Sequence, residues 1–200
     1  TKENRRDIPQ LLETANQLDA PIHIDTYMYP AGRERKSGFH YDTRLEPEIA
    51  AKARIEILKS SLTEAEYGFY REKFLQMAAG SSPKALDISV RCRAGRSSFV
   101  INWLGNMTPC VMLGSPSVNV FENGFSKSWA QIVKKTDEIK ISEQCGQCSL
   151  YEICNTCAAC ALLETGNYDG VPEYICRYTK ETVRLLKNTY DEWQGDDDNG

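Results

Sequence analysis

Histidine is nearly missing from this 200-residue chain: only His23 and His40 occur, and both lie upstream of the stretch where cysteines gather. A mixed Cys/His zinc site among those cysteines is therefore disfavoured. Long apolar runs are missing as well. None approaches the roughly 20 residues a helix needs to cross a bilayer, so no membrane span is expected. The opening TKENRRD is polar and charged with no apolar stretch behind it, and no signal peptide is read there. The chain also lacks a long Lys/Arg block. At a net charge of −4 and a pI near 5.4 it offers no electrostatic footprint for nucleic acid or an anionic membrane. The one small basic cluster, Arg33, Arg35 and Lys36, is diluted by Glu34 and reads as a solvated loop. No internal repeat is present.

What the chain has is cysteine. Eight occur, five of them (Cys145, Cys148, Cys154, Cys157 and Cys160) within sixteen residues, with Cys92, Cys110 and Cys176 apart. Thiolates two residues apart in a loop converge on one point, and a soft metal or an iron–sulfur cluster rewards that convergence. Without an export signal, so many thiols point to a reducing, cytoplasmic setting in which cysteines stay free or ligate metal. Four disulfides are the competing reading, that of a stapled binding domain. They are disfavoured because 200 residues can bury a core without staples and neighbouring thiols at x2 spacing seldom meet disulfide geometry.

The rest of the chain, 41% apolar and 26% charged, reads as an ordinary α+β globule. Residues 8–18 carry a helical stripe at Ile8, Leu11, Leu12, Ala15 and Leu18. Residues 21–29 alternate and predict a strand closed by Pro30, with His23 half-buried on it. A polar loop over 32–44 follows, then a helix over 45–62 with Pro47 in its first turn. Thr63 and Glu66 form a capping box that opens another helix, whose apolar content is Tyr67, Phe69, Tyr70, Phe74, Leu75 and Met77. Gly80, Ser81, Ser82 and Pro83 make a linker, where the main boundary is placed. Beyond it, residues 97–104 and 107–112 predict a hairpin turning at Gly105 and Asn106, residues 126–136 a short helix, the cysteine comb a loop, and residues 176–193 a last helix through Val183, Leu186 and Tyr190. The acidic end, 194–200, reads as a disordered tail.

Two sets of four thiols exhaust the eight, which suits two four-cysteine zinc sites or two cubane clusters, and spacing alone leaves the metal open. Here the cysteine pattern carries a resemblance. Cys92, twelve residues, Gly105, four residues, Cys110, a gap, Cys145-x2-Cys148-x5-Cys154, a further thiol close behind, a gap and Cys176 resembles the SPASM domain, the C-terminal extension of many radical S-adenosylmethionine enzymes. That family's pattern is C-x9-15-G-x4-C, gap, C-x2-C-x5-C-x3-C, gap, C; six of its seven cysteines and its glycine fall in place. The surrounding Cys92-Arg93-Ala94-Gly95 and Thr108-Pro109-Cys110 look like the family's usual opening. The resemblance covers roughly residues 90–186. It departs at the x3 cysteine, which would stand where this chain has Ala158, flanked by Cys157 and Cys160.

The resemblance implies two auxiliary [4Fe–4S] clusters: Cys145, Cys148, Cys154 and Cys176 on the second, and Cys92 and Cys110 sharing the first with Cys157 and Cys160. It implies that residues 1–80 are the end of a partial (βα) barrel with bridging helices, residues 81–193 the cluster domain. The C-x3-C-x2-C motif that binds the S-adenosylmethionine-cleaving cluster is absent, so S-adenosylmethionine and a third cluster belong to a longer parent, and this fragment is expected to be inactive alone. The implied parent modifies a peptide or protein substrate, by thioether crosslinking or sulfatase maturation for example, and takes electrons from a donor such as flavodoxin or ferredoxin. The auxiliary clusters are expected to relay an electron or bind substrate; zinc in a structural interaction domain is the alternative.

Other side chains carry weaker expectations. Asp25, Tyr27 and Tyr29 on the predicted strand are expected to line the barrel or lie at the surface, the functional alternative being that they face cofactor or substrate. Trp103 and Trp129 are expected to pack around the clusters, and Arg91, Arg93 and Arg96 either to offset part of the cluster charge or, equally, to form a solvated edge.

Overall fold

The computed structural model describes residues 1–28, 43–80 and 88–194. The predicted loop after Pro30, the linker after Gly80 and the acidic tail from residue 195 lie outside the described residues, as do Tyr29 and His40.

The N-terminal part is helical. Helix α1 (Ile8–Gln17) buries Leu12 and Ala15 of the predicted stripe. Helix α2 (Pro47–Ser61) starts on Pro47, where a missing N–H costs nothing, and buries a run of small residues, Ala50, Ala51 and Ala53, with Ile55. Helix α3 (Glu64–Gly80) opens with the expected box: Thr63 N–H donates to Glu66 at 2.9 Å and Glu66 N–H to Thr63 Oγ1 at 3.4 Å. Only one side of α3 is covered, so Tyr67 is buried whereas Phe69 and Met77 stay exposed.

The predicted strand over 21–29 does not form across 21–28, which is irregular, and His23 on it is exposed rather than half-buried. A strand is held by ladder hydrogen bonds to a neighbour. Among the described residues this segment has none, and it is fixed instead by side chains: the Thr26 hydroxyl lies 3.1 Å from that of Tyr178, and Asp25 accepts the Tyr27 N–H at 2.9 Å. Alternation gives a segment the means to be half-buried; it does not supply the partner strand.

After residue 88 the texture changes as expected. Strands β1 (Val100–Ile101), β2 (Asn106–Thr108) and β3 (Val118–Asn119) form an antiparallel sheet in that order, with Ile101 opposite Met107 and Met107 opposite Val118. The hairpin turns over 102–105, with Asn106 already on the return strand. Asn102 Oδ1 accepts the N–H groups of Leu104 and Asn106, both at 3.0 Å, and Gly105 takes φ 78° against the Phe121 ring, where a Cβ would collide. The third strand is too short to have left a period in the sequence. Helices α4 (Val120–Asn123) and α5 (Phe125–Asp137) follow, and Ile132 of α5 closes on Met107 and Val118. Trp129 packs there, beside Phe99, and Trp103 is 88% exposed; neither packs as expected around the cysteines.

The cysteine comb is not one loop. It contains α6 (Glu143–Gly146), a chain of turns, and α7 (Ala158–Thr165), which ends at Gly166 in the left-handed conformation. The last helix, α8 (Glu173–Gln194), packs chiefly along α2, whose alanines let the two axes approach. Ile175 and Tyr178 of α8 join Ala50, Ala51 and Leu45, while Leu186 joins Ile55 and Tyr67. No helix of the described residues is long and apolar enough to cross a membrane.

Candidate metal centre

Local turns aim the comb inward. The N–H of Cys148 bonds to the carbonyl of Cys145 at 3.1 Å, that of Tyr151 to Cys148 at 3.0 Å, and that of Cys154 to Leu150 at 2.9 Å, so the chain coils while its thiols stay on one side. Cys176, in the first turn of α8, arrives from the opposite wall. Cys145, Cys148, Cys154 and Cys176 line one cavity with Tyr151, Thr156, Val171, Pro172 and Ile175. Its sulfurs already meet donors: Leu150 N–H at 3.4 Å from Cys148 Sγ and the Thr179 hydroxyl at 3.5 Å from Cys154 Sγ. Burial pushes the Cys145 and Cys154 thiols up, and negative charge on the other cysteines of the cavity adds to it. Protons, or a metal, are what such a group of sulfurs calls for.

The second group is looser. Cys92 is exposed, just before the turn over 93–98 that contains Gly95. Cys110 follows the buried Pro109 at the end of the hairpin arm and accepts the Leu113 N–H at 3.3 Å. Burial first, and then the neighbouring Cys157 and Cys92, raise the Cys110 pKa. Cys157 caps the N-terminus of α7 and packs on the same apolar cluster as Cys110. That cluster, built on Val90, Ala94, Leu113, Ile139, Ile141, Ala158 and Ala159, also receives Cys145, so it stands between the two groups of thiols.

Cys160 is placed differently. It is fully buried in the cluster of Tyr27, Leu45, Ala50, Ala51, Ile175 and Tyr178, 3.3 Å from the Tyr27 hydroxyl and 3.5 Å from Cys157 Sγ. The shared proton splits the pair. Cys157 is drawn down to about 6 by the Cys160 thiol and by the N–H groups of Cys160 and Ala159, while Cys160 is pushed up by the same bond and by burial.

No three Cys, His, Asp or Glu side chains among the described residues stand close enough to hold a single metal ion. Four thiolates on one zinc, at Zn–S of about 2.3 Å, need sulfurs within roughly 4 Å of one another. A cubane spreads its thiolates over separate irons. The thiol-only donor set, the shared cavity and the donors at the sulfurs fit that group.

The predicted arginines divide. Arg91 stacks on the Tyr151 ring at 3.9 Å and donates to the Tyr151 carbonyl and Glu152, against the wall of the four-thiol cavity. Arg96 turns away to Ser89 and Asp137, and Arg93 is exposed. Asp25 is exposed and Tyr27 buried against Cys160 rather than facing an open barrel. Thr179 was missed by sequence reasoning, although its position one helical turn after Cys176 was a usable signal. Glu164 was missed as well. Its carboxylate lies 2.9 Å from Arg44, whose guanidinium rests 3.3 Å from the Tyr174 ring centre. Nothing local announced that contact.

No curated protein and no solved structure matches the chain. One family model does, that of SPASM, described as an iron-sulfur cluster-binding domain, over a span that begins at Cys92 and stops two residues short of Cys160. The chain thus carries, at residues 92–158, a SPASM iron–sulfur cluster-binding domain.

Proposed function

We propose that this chain is the auxiliary-cluster part of a radical S-adenosylmethionine enzyme that modifies a peptide or protein after translation. The observation that carries the reading is the division of the thiols, one set lining a cavity and another gathered across a shared apolar cluster from it. Cys145, Cys148, Cys154 and Cys176 would hold one [4Fe–4S] cluster, and Cys92, Cys110 and Cys157, with Cys160 beside them, the other. Bound there, the clusters supply one-electron storage and transfer. The chain's own residues hold the sulfurs, set hydrogen bonds to them through Leu150, Leu113 and Thr179, and place the Arg91 charge at the cavity wall; hydrogen bonding and nearby charge are levers a protein has over cluster potential.

S-Adenosylmethionine and its cluster belong to the part of the parent that carries C-x3-C-x2-C, a motif this chain does not contain. The partners are a peptide or protein substrate and a small electron donor such as flavodoxin or ferredoxin, in the cytoplasm. The competing reading is a two-zinc interaction domain, favoured only by the all-thiol donor set.

Anaerobic purification with iron, sulfide and zinc analysis and absorption near 400 nm separates the two. About eight irons and eight sulfides with a brown chromophore support the cluster reading. About two zincs without colour, persisting after iron–sulfur reconstitution, overturn it.

A further inference from the structure

Cys157 and Cys160 flank the place where the cysteine pattern asks for one thiol, and the fold treats them differently. Cys157 caps α7 where two apolar clusters meet, packing on that of Cys110 as well as on that of Tyr27, and its sulfur accepts the Cys160 N–H at 3.4 Å. Cys160 is 0% exposed, packed with Tyr27, Leu45, Ala50 and Ile175. Its sulfur is already shared between the Tyr27 hydroxyl and Cys157 Sγ. Close behind Tyr27 stands the Glu164 carboxylate, 3.5 Å from the same hydroxyl. That carboxylate is paired with Arg44 at 2.9 Å, so what surrounds the Cys160 sulfur is an apolar pocket, which suits a neutral thiol, packing as a small hydrophobe, far better than a thiolate.

Resting on the cluster reading above, we propose that Cys160 is a positioning residue and not a ligand: its S–H donates to the Cys157 thiolate while the Tyr27 hydroxyl fixes it from behind, leaving Cys92, Cys110 and Cys157 as the protein ligands of the first cluster. Once Cys157 is bound to iron it has no proton to give, so the proton between the two sulfurs is that of Cys160. A donor aimed at a cluster sulfur stabilises the more negative, reduced state, so the Tyr27–Cys160–Cys157 chain raises that cluster's potential. The Tyr27 hydroxyl has one proton for two acceptors, Cys160 at 3.3 Å and Glu164 at 3.5 Å; given to Cys160, it polarises the chain along its length and gives Tyr27 a smaller effect of the same sign.

The test uses the full 200-residue chain, reconstituted anaerobically with ferrous iron and sulfide, as wild type and as C157A, C160A, C160V, C160S and Y27F. Iron and sulfide per chain are measured, and midpoint potentials are read by redox titration followed by electron paramagnetic resonance. Wild type is expected to hold about eight irons, C157A about half, and all Cys160 variants the full complement. The first cluster's potential moves negative in C160A and C160V, less so in Y27F, and returns toward wild type in C160S, whose hydroxyl can donate in place of the thiol. C160V fills the apolar site if C160A fails to fold. Loss of about half the iron in C160V overturns the proposal by making Cys160 a ligand. Full iron with an unmoved potential in C160A and C160V overturns it by removing the hydrogen bond's role. A wild-type chain that takes up no iron overturns the cluster reading itself, and this assignment with it.

Discussion

Arg44 and Glu164 form an ion pair of 2.9 Å between side chains only 9% and 11% exposed, tying the segment before α2 to the helix that begins at the cysteines. The guanidinium is also clasped by the rings of Tyr174 and Tyr27. Removing one partner strands the other charge out of water. Glu164→Ala and Arg44→Ala are each expected to cost about 3–5 kcal/mol, and Arg44→Met with Glu164→Leu to cost much less than their sum. Urea unfolding of the single and double variants checks this. Equal and additive losses would sink the coupling.

Gly95 sits at φ 65° with its Cα against Thr136, which is fully buried on α5 and donates to the Ile132 carbonyl at 2.7 Å. A methyl group there meets both backbone strain and a side chain that cannot withdraw. Gly95→Ala is expected to cost about 2–4 kcal/mol. Gly166→Ala, also at positive φ but facing open space, is expected to cost only about 1–2 kcal/mol. Thermal denaturation of both variants measures the difference, which isolates the contact from the strain.

The two thiol groups should load independently. Cys154→Ala and Cys110→Ala are each expected to lose about half the iron of the reconstituted chain, and the double variant nearly all of it. Total loss from either single change would show one shared site in place of two.

Alkaline pH should weaken the metal-free chain. Burial raises Cys110, Cys145 and Cys154 above the ordinary thiol value, so the folded state holds protons that the unfolded state releases. The stability this confers is whole below about pH 8.5 and is lost as pH climbs through the folded values. Tyr174, pushed up to about 12 by burial, and Tyr27, also raised, act with the same sign at higher pH. Cys157 opposes them, its contribution being lost as pH falls toward 6. The melting temperature with chelator and reductant present should therefore fall between about pH 8.5 and 10. A flat or rising profile would contradict the burial of these thiols as protonated groups.

Much of this was legible in the chain. The capping box at Thr63 and Glu66, the hairpin pivot at Gly105 and the amphipathic stripe of α8 are short-range devices, and each formed where its residues stood. Helix α7 was not legible: AACALLET carries helix formers and is followed by Gly166, but Cys160 within it and Cys157 before it continue the spacing of a metal-binding loop. The segment at 21–28 failed in the opposite sense, because alternation is a local pattern and a strand is a pairwise object.

The sequence by itself determined which donors are on offer, eight thiols and two histidines, both histidines far upstream of the cysteine comb whatever the fold. Only the tertiary structure decided which thiol meets which. Cys157 and Cys160 lie three residues apart, where a helix makes neighbours equivalent. They are told apart by Tyr27, 133 positions away in the chain from Cys160, whose hydroxyl lies 3.3 Å from the Cys160 sulfur. Burial and hydrogen bonding set what a thiol can do, and both depend on residues no local spacing can name.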